Sequence, residues 1–127
     1  MSVGVLLVTH NEVGAHLVKS ATGTLGRLPL PTEVVSVDLA DSVEQVAIRV
    51  RNALDALEQP DGVLVLTDLF GATPSNVANR AIEGRDARCV AGVNLPMLLR
   101  VMNYSGKNLD ELVETAYDGG RNGIIVT

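Results

Sequence analysis

Short, uninterrupted apolar runs alternate along the chain with longer segments in which apolar residues recur every three or four positions. The runs Val5–Val8 and Val63–Leu66 contain only valine and leucine, which is the pattern of parallel strands covered by helices on both faces. The segment after Ser42 instead places its apolar residues on one helical stripe. The chain therefore predicts alternating strands and helices. The predicted strands are 3–9, 33–39, 63–67 and 87–93, with a last strand at 123–127, and the predicted helices are 13–25, 43–57, 73–82, 95–103 and 109–118.

Residues with strong positional preferences mark where these helices begin and end. Ser42 and Gln45 have the spacing of a capping box. Thr73 precedes Pro74, so Thr73 is the predicted N-cap and Pro74 the first helical residue. The remaining signals are asparagine caps at Asn94 and Asn108 and a glycine stop at Gly119-Gly120.

Consecutive strand–helix units predict an α/β fold with an open parallel sheet and right-handed crossovers. For a chain of 127 residues we expect one domain spanning 1–127, with a flavodoxin-like three-layer α/β/α architecture and strand order 2-1-3-4. Ligands of such sheets bind beyond the carboxyl ends of the strands, where the order reverses between strands one and three. Those two strands end in His10 and Asp68, so the topology predicts that these side chains are neighbours.

Composition and charge exclude several classes of function. The net charge is −5, from 10 Lys and Arg against 15 Asp and Glu. The cationic residues form no cluster and aromatic residues are few, so nucleic acid is not an expected partner. The apolar runs are too short to span a membrane and no basic segment precedes a cleavage site, so we expect a cytoplasmic protein. The single cysteine, Cys89, excludes an internal disulfide and a multi-cysteine metal site. We expect it to be a buried, inert thiol, and we predict neither a metal nor a cofactor.

His10 and Asp68 suggest a specific chemistry. A neutral imidazole acts as a nucleophile through one ring nitrogen when the other is held protonated. A carboxylate that accepts from Nδ1–H fixes that tautomer and stabilises the more positive ring that forms once Nε2 is modified. The helix N-termini that follow can offer N–H groups to phosphoryl oxygens, and the hydroxyls of Thr9 and Thr73 can add donors. Since the motifs carry neither a nearby Lys or Arg nor a Walker-type glycine loop, the pattern favours phosphoryl transfer between protein side chains over nucleotide hydrolysis.

Three motifs in this order resemble those of one known family. Thr9-His10 follows the first strand, residues 67–76 read TDLFGATPSN, and residues 91–98 read AGVNLPML. Over essentially the whole chain they are similar to the IIA domain of the mannose-family sugar phosphotransferase system. The resemblance implies that His10 accepts a phosphoryl group from the histidine-containing phosphocarrier protein and passes it to a IIB partner.

The resemblance also implies roles for the residues around His10. Asp68 matches the family's orienting carboxylate, and Thr73 matches its hydroxyl residue at the phosphoryl site, where Thr9 and Asn11 are further expected phosphoryl-binding residues. The family's fold adds a C-terminal edge strand that is exchanged across a homodimer, which we expect of the predicted strand 123–127.

An apolar rim is expected beside the site, because a protein-bound phosphoryl group must be brought in line with His10. The predicted partner-docking residues are Leu69, Phe70 and Met97. Phe70 replaces a tryptophan that is common in the family, Ala72 replaces a glycine, and Asn11 stands where a glycine often follows the histidine.

The sequence contains neither an Ala/Pro-rich linker nor a IIB domain, so we expect a standalone IIA component. Its contact with a membrane would then be indirect, through a permease complex, and the sugar cannot be read from the sequence. A regulatory role, in which phosphorylation reports flux through the phosphotransferase system, uses the same chemistry.

Other classes of protein share parts of this pattern. Thr9-His10-Asn11-Glu12 loosely matches the Arg-His-Gly-Glu motif of phosphatases and mutases that work through phosphohistidine, although no arginine precedes His10. The multiphosphoryl subunit of dihydroxyacetone kinase is a related phosphotransfer alternative. The third alternative is a non-catalytic α/β module in which His10 is only a turn residue.

Overall fold

The computed structural model of the chain describes residues 2–127, over which four strands alternate with five helices. No helix in this range is long and apolar enough to cross a membrane. The elements are β1 (Gly4–His10), α1 (Val13–Leu25), β2 (Thr32–Val37), α2 (Val43–Ala56), β3 (Val63–Thr67), α3 (Thr73–Ala81), β4 (Ala87–Ala91), α4 (Leu95–Asn103) and α5 (Leu109–Asn122).

The strands form one parallel sheet in the order β2-β1-β3-β4, which confirms the predicted fold and strand order. Side chains of β1 alternate between two apolar clusters on opposite faces of the sheet. Leu7 packs with α1, α4 and α5, whereas Leu6 packs with α2 and α3, and both are fully buried. Burial on both faces explains why the central strands are continuous apolar runs.

The predicted helix caps are confirmed at three helices and wrong at one. Ser42 and Gln45 form the predicted capping box of α2, with N–H···O distances of 3.0 and 3.1 Å. The side chains of Asn94 and Asn108 cap α4 and α5. Thr73, however, is the first residue of α3, and Ala72 is its N-cap. Because alanine has no side-chain acceptor, the first N–H groups of α3 are left for another partner.

The second and fourth strands end two residues earlier than predicted, at Val37 and Ala91. Gly92 has a φ of 92°, a conformation that glycine adopts without strain, and it turns the chain out of β4. Leu39, which was predicted to end the second strand, lies instead in the loop before α2 and is 100% exposed.

The prediction that Gly119-Gly120 ends the last helix is wrong, because α5 continues to Asn122. Both glycines are buried against α4. A Cβ on Gly119 would lie 2.7 Å from the Cβ of Arg100, and a Cβ on Gly120 would lie 2.9 Å from Cε of Met97. The two helices therefore approach each other too closely for any larger residue, and packing outweighs the low helix propensity of glycine.

The C-terminal strand predicted at 123–127 is not formed within the chain. Gly123 is the C-cap of α5, and the residues after it are exposed and lie outside the sheet. Exchange of this segment onto a second copy remains a prediction.

The close approach of α4 and α5 leads to a test on stability. Gly119→Ala should lower the free energy of unfolding by about 1–3 kcal/mol, because the Arg100 stem and the helix backbone must move apart. A Cβ on Gly23, in α1, would have no packing neighbour within 4 Å, so Gly23→Ala should raise the free energy of unfolding by about 0.5–1 kcal/mol. Urea unfolding of both variants measures the two changes. Equal effects at the two sites would show that the helices are not in close contact.

Candidate functional site

His10 and Asp68 meet at the carboxyl edge of the sheet, where the strand order reverses. Val8 of β1 is in register with Thr67 of β3, so the residues that follow emerge side by side. The ring Nδ1 of His10 lies 2.9 Å from Oδ2 of Asp68, and the backbone N–H of His10 donates to the same oxygen at 3.0 Å. The predicted juxtaposition of the two side chains is therefore present in the structure.

The carboxylate of Asp68 is devoted to His10. Within residues 2–127, both hydrogen bonds that Asp68 accepts come from His10, and the other carboxylate oxygen is buried with no partner. An ionised carboxylate can only accept, so Nδ1 carries the proton and Nε2 carries the lone pair. The side chain of His10 is 42% exposed against 15% for Asp68, so the imidazole is open to solvent while the carboxylate is largely shielded.

A cavity of about 300 Å³ adjoins the imidazole ring and is lined by residues of three segments. Thr73, at the start of α3, and Asn11, which directly follows His10, are both part of its wall. Asn11 adopts a φ of 44°, a left-handed conformation that asparagine tolerates better than most residues. The N-terminus of α3, which has no side-chain cap, therefore borders the same cavity as His10, and helix N-termini favour anions.

Thr9 has a structural part rather than the expected contact with a phosphoryl group. Its side chain is fully buried, and its hydroxyl oxygen accepts the backbone N–H of Gly14 at 2.7 Å. This contact ties the first turn of α1 to the end of β1. Thr9 therefore supports the site from below and does not line the cavity beside His10.

Of the three predicted docking residues, two are on the surface and one is not. Leu69 is 59% exposed and Phe70 is 79% exposed. Met97 is only 3% exposed and belongs to the core beneath α4, so its assignment to the docking rim is wrong. As the third residue of α4, it packs against Gly120, which leaves room for its side chain.

Several supporting residues were not predicted from the sequence. Gly14 is required because a Cβ there would lie 2.8 Å from the Thr9 hydroxyl. The amide of Asn76 donates to the carbonyl of Gly71 at 3.0 Å and so holds the loop that carries Phe70. Neither contact leaves a periodic pattern in the sequence. Asn76 falls within the motif at residues 67–76, but the motif alone does not predict its bond to Gly71.

The two other reactive side chains lie away from this cavity. His16 is exposed on the outer face of α1, where it lines a shallow depression with Val13 and Leu17. Cys89 is half-buried, and burial raises the pKa of its thiol above the ordinary value. A thiol with a raised pKa carries less of the reactive thiolate, in keeping with the inert role expected of it.

The fold and this pair of side chains define a class: a flavodoxin-like α/β protein with an oriented histidine at the switch point of its sheet. A family described as "PTS system fructose IIA component" matches residues 4–117. The mannose-specific EIIAB component of the phosphotransferase system (PTS) from Escherichia coli K12 is 30% identical over 129 residues, which cover 98% of this chain and 39% of that protein. The chain therefore belongs to the mannose-type family of phosphotransferase-system IIA components.

Two further comparisons support this assignment. The mannose/sorbose-specific IIA subunit from Enterococcus faecalis superimposes with a TM-score of 0.90 at 26% identity, over 100% of this chain and 96% of that one. The fructose-specific EIIA component from Bacillus subtilis is 36% identical over 64 residues, which cover 50% of this chain and 44% of that protein. The chain thus spans about two fifths of the length of the curated relatives that it matches.

Proposed function

We propose that this protein takes a phosphoryl group from the histidine-containing phosphocarrier protein onto Nε2 of His10 and passes it to a IIB component of the sugar phosphotransferase system. The observation that carries the proposal is the 2.9 Å contact between His10 Nδ1 and Asp68 Oδ2 at the switch point of the sheet. Membership of the IIA family supports it. A regulatory readout of phosphotransferase flux would use the same loading step.

The transfer exchanges one N–P bond for another and uses no cofactor. The lone pair on Nε2 attacks phosphorus in line as the N–P bond of the phosphocarrier breaks, and the electron pair returns to the carrier's imidazole. The proton on Nδ1 of His10 stays in place, because Asp68 stabilises the more positive ring that results. Thr73 and the N-terminus of α3 offer donors to the phosphoryl oxygens. Attack by a IIB nucleophile then breaks the new N–P bond and restores His10.

The exposed loop between β3 and α3 follows Thr67 directly and begins with Asp68, so it lies beside His10. We propose that Leu69 and Phe70 form the apolar part of the docking surface for protein partners, since each leaves most of its side chain in water. Exposed apolar side chains next to a reactive group are typical of surfaces that bind other proteins. Asn76 keeps this loop in place through its bond to Gly71.

The test is a reconstituted relay from phosphoenolpyruvate through enzyme I and the phosphocarrier. The protein should gain one phosphoryl group by intact mass, with a phosphorus NMR signal of a phosphoramidate that is labile in acid and stable in base. Release of inorganic phosphate from small phosphoesters, without the carrier, would instead favour a phosphatase.

We further propose that residues 1–127 act as a single IIA domain that forms a homodimer through its C-terminal segment. Within the described chain, β4 has a neighbour on one side only. Gly123 lies against Pro96, just beyond the end of β4, so the tail leaves the fold close to this open edge. The tail residues Ile124, Ile125 and Val126 are 73%, 73% and 95% exposed. An open edge and an apolar β-branched segment are both aggregation-prone unless paired.

Removal of residues 124–127 should convert the dimer to a monomer, with the molar mass from light scattering falling by half. Ile125→Pro, which keeps the length but removes a ladder donor, should have the same effect. A molar mass that is unchanged in both variants would contradict the exchange of this segment.

A further inference from the structure

The loop between β2 and α2, residues 38–42, presents the most exposed large apolar side chain of the described chain on a firmly held backbone. Leu39 is 100% exposed. The backbone N–H of Asp38 donates to the carboxylate of Asp41 at 2.8 Å, and the N–H of Asp41 donates back to the carbonyl of Asp38 at 3.0 Å. The capping box of Ser42 closes the loop on its other side. These hydrogen bonds order the loop, so the exposure of Leu39 is a fixed feature of the structure and does not result from disorder.

Arg49 of α2 holds the loop in place. Its guanidinium donates to Asp41 at 2.6 Å and to the carbonyl of Ser36 in β2 at 2.9 Å, so that it spans the loop from strand to helix. The pKa of Asp41 is held below its ordinary value by the hydrogen bond from Asp38 and by Arg49. The carboxylate therefore stays ionised at neutral pH and the contact persists. An isolated surface ion pair contributes little stability. The main effect of the pair between Arg49 and Asp41 is therefore on the geometry of the loop.

This loop borders the cavity that adjoins His10. Leu39 and Val43 line the same cavity as His10, together with the carboxylates Asp38 and Asp41. The N–H of Asn11, directly after His10, donates to the carbonyl of Val37 at 2.9 Å and fixes the start of the loop relative to the imidazole. A phosphoryl donor that reaches His10 through this cavity would therefore meet Leu39.

We propose that Leu39 is a docking anchor for the phosphoryl-donating carrier protein, and that Arg49 is a positioning residue that acts through it. The inference rests on the proposed function and adds Leu39, on the wall of the cavity beside His10, to the docking surface proposed for Leu69 and Phe70. The occupant follows from charge. A donor brings a dianionic phosphoryl group toward a cavity wall that carries Asp38 and the Arg49-paired Asp41, so a donor with cations around an apolar centre would offset the repulsion from these carboxylates.

Loading of His10 is measured against the concentration of phosphorylated carrier for the native protein and four variants. Leu39→Ala should raise KM on the order of ten-fold with kcat unchanged, as expected for an anchor at a small interface. Arg49→Met should raise KM several-fold, and Arg49→Lys should restore part of it. The control is Ile48→Ala, which truncates an aliphatic residue of α2 that is 51% exposed and does not line the cavity; its KM should stay native.

A double variant and a small donor distinguish the outcomes. If Arg49 acts through Leu39, the KM of Leu39→Ala/Arg49→Met should equal that of Leu39→Ala alone, whereas independent effects would multiply. Phosphoramidate, whose N–P bond breaks with release of ammonia, should load His10 at the same rate in every variant. An unchanged KM in Leu39→Ala, an equal rise in Ile48→Ala, or slower transfer only to IIB overturns the inference. Failure of both donors to load the native protein would instead overturn the proposed function.

Discussion

Phosphorylation of this protein is expected to disappear completely in His10→Ala. Nε2 of His10 is the proposed nucleophile, since its Nδ1 is bound to Asp68 at 2.9 Å. Thr73, on the wall of the same cavity, is a hydroxyl with no base assigned to activate it, and alcohols are weak nucleophiles without one. After incubation with phosphoenolpyruvate, enzyme I and phosphocarrier, the variant should keep its unmodified mass.

The loss should reflect chemistry and leave the fold intact. The backbone N–H at position 10 still donates to Asp68, so the carboxylate keeps one partner and the free energy of unfolding should change by about 1 kcal/mol. His16→Ala is the matched control, because it removes an exposed histidine of α1, and it should be phosphorylated at the native rate. A phosphorylated His10→Ala protein, or loss of labelling in His16→Ala, would contradict the assignment.

The architecture was predictable because each level of the sequence pointed to the same answer. The runs Val5–Val8 and Val63–Leu66 are buried on both faces, and burial on both faces is what an unbroken apolar run encodes. Once these runs are placed as neighbouring parallel strands, the residues just beyond them must meet at one edge. The pairing of His10 with Asp68 followed from topology, without any local signal that connects them.

In the second half of the chain, tertiary packing outweighed local sequence signals and made two predictions wrong. A pair of glycines is a sound signal for the end of a helix, yet Gly119 and Gly120 lie inside α5, where the approach of α4 demands small residues. The same contact buries Met97. Its position just after the Asn94 cap and Pro96 is equally compatible with a surface residue near the site, so the sequence did not distinguish the two. Whether a short apolar segment faces a partner or a neighbouring helix depends on the position of that helix, which periodicity does not encode.

Side-chain contacts with the backbone were the other part that the sequence did not reveal. Thr9 carries a hydroxyl that could bind a phosphoryl group, but this hydroxyl faces the first turn of α1 and accepts the backbone N–H of Gly14. Arg49 reads as one charge on a solvated helical face, yet it reaches both Asp41 and β2. Contacts of this kind depend on the exact path of a loop, and a loop has no repeating pattern to predict it from.

Asp68→Asn should retain the fold but slow phosphoryl transfer by roughly 10²-fold to 10⁴-fold, the range seen when the orienting carboxylate beside a catalytic or ligating histidine is lost. One oxygen, Oδ2, accepts both the backbone N–H and the Nδ1–H of His10, so an asparagine oxygen in its place can keep both bonds while the NH₂ group takes the buried position of Oδ1. What the substitution removes is the negative charge that stabilises the more positive ring formed when Nε2 is modified.

Single-turnover loading from phosphorylated carrier measures this effect, and kcat should fall while KM for the carrier changes little, because the docking surface is untouched. The matched control is Asp38→Asn, which removes a carboxylate from the wall of the same cavity without touching the His10 ring. Asp38→Asn therefore tests the general field of the cavity, whereas Asp68→Asn tests the carboxylate that contacts the imidazole. A native kcat in Asp68→Asn, or an equal loss in Asp38→Asn, would show that the 2.9 Å contact between His10 and Asp68 does not support attack by Nε2. With the expected result, the loss of rate measures how far phosphoryl transfer depends on the charge of Asp68 beside the ring.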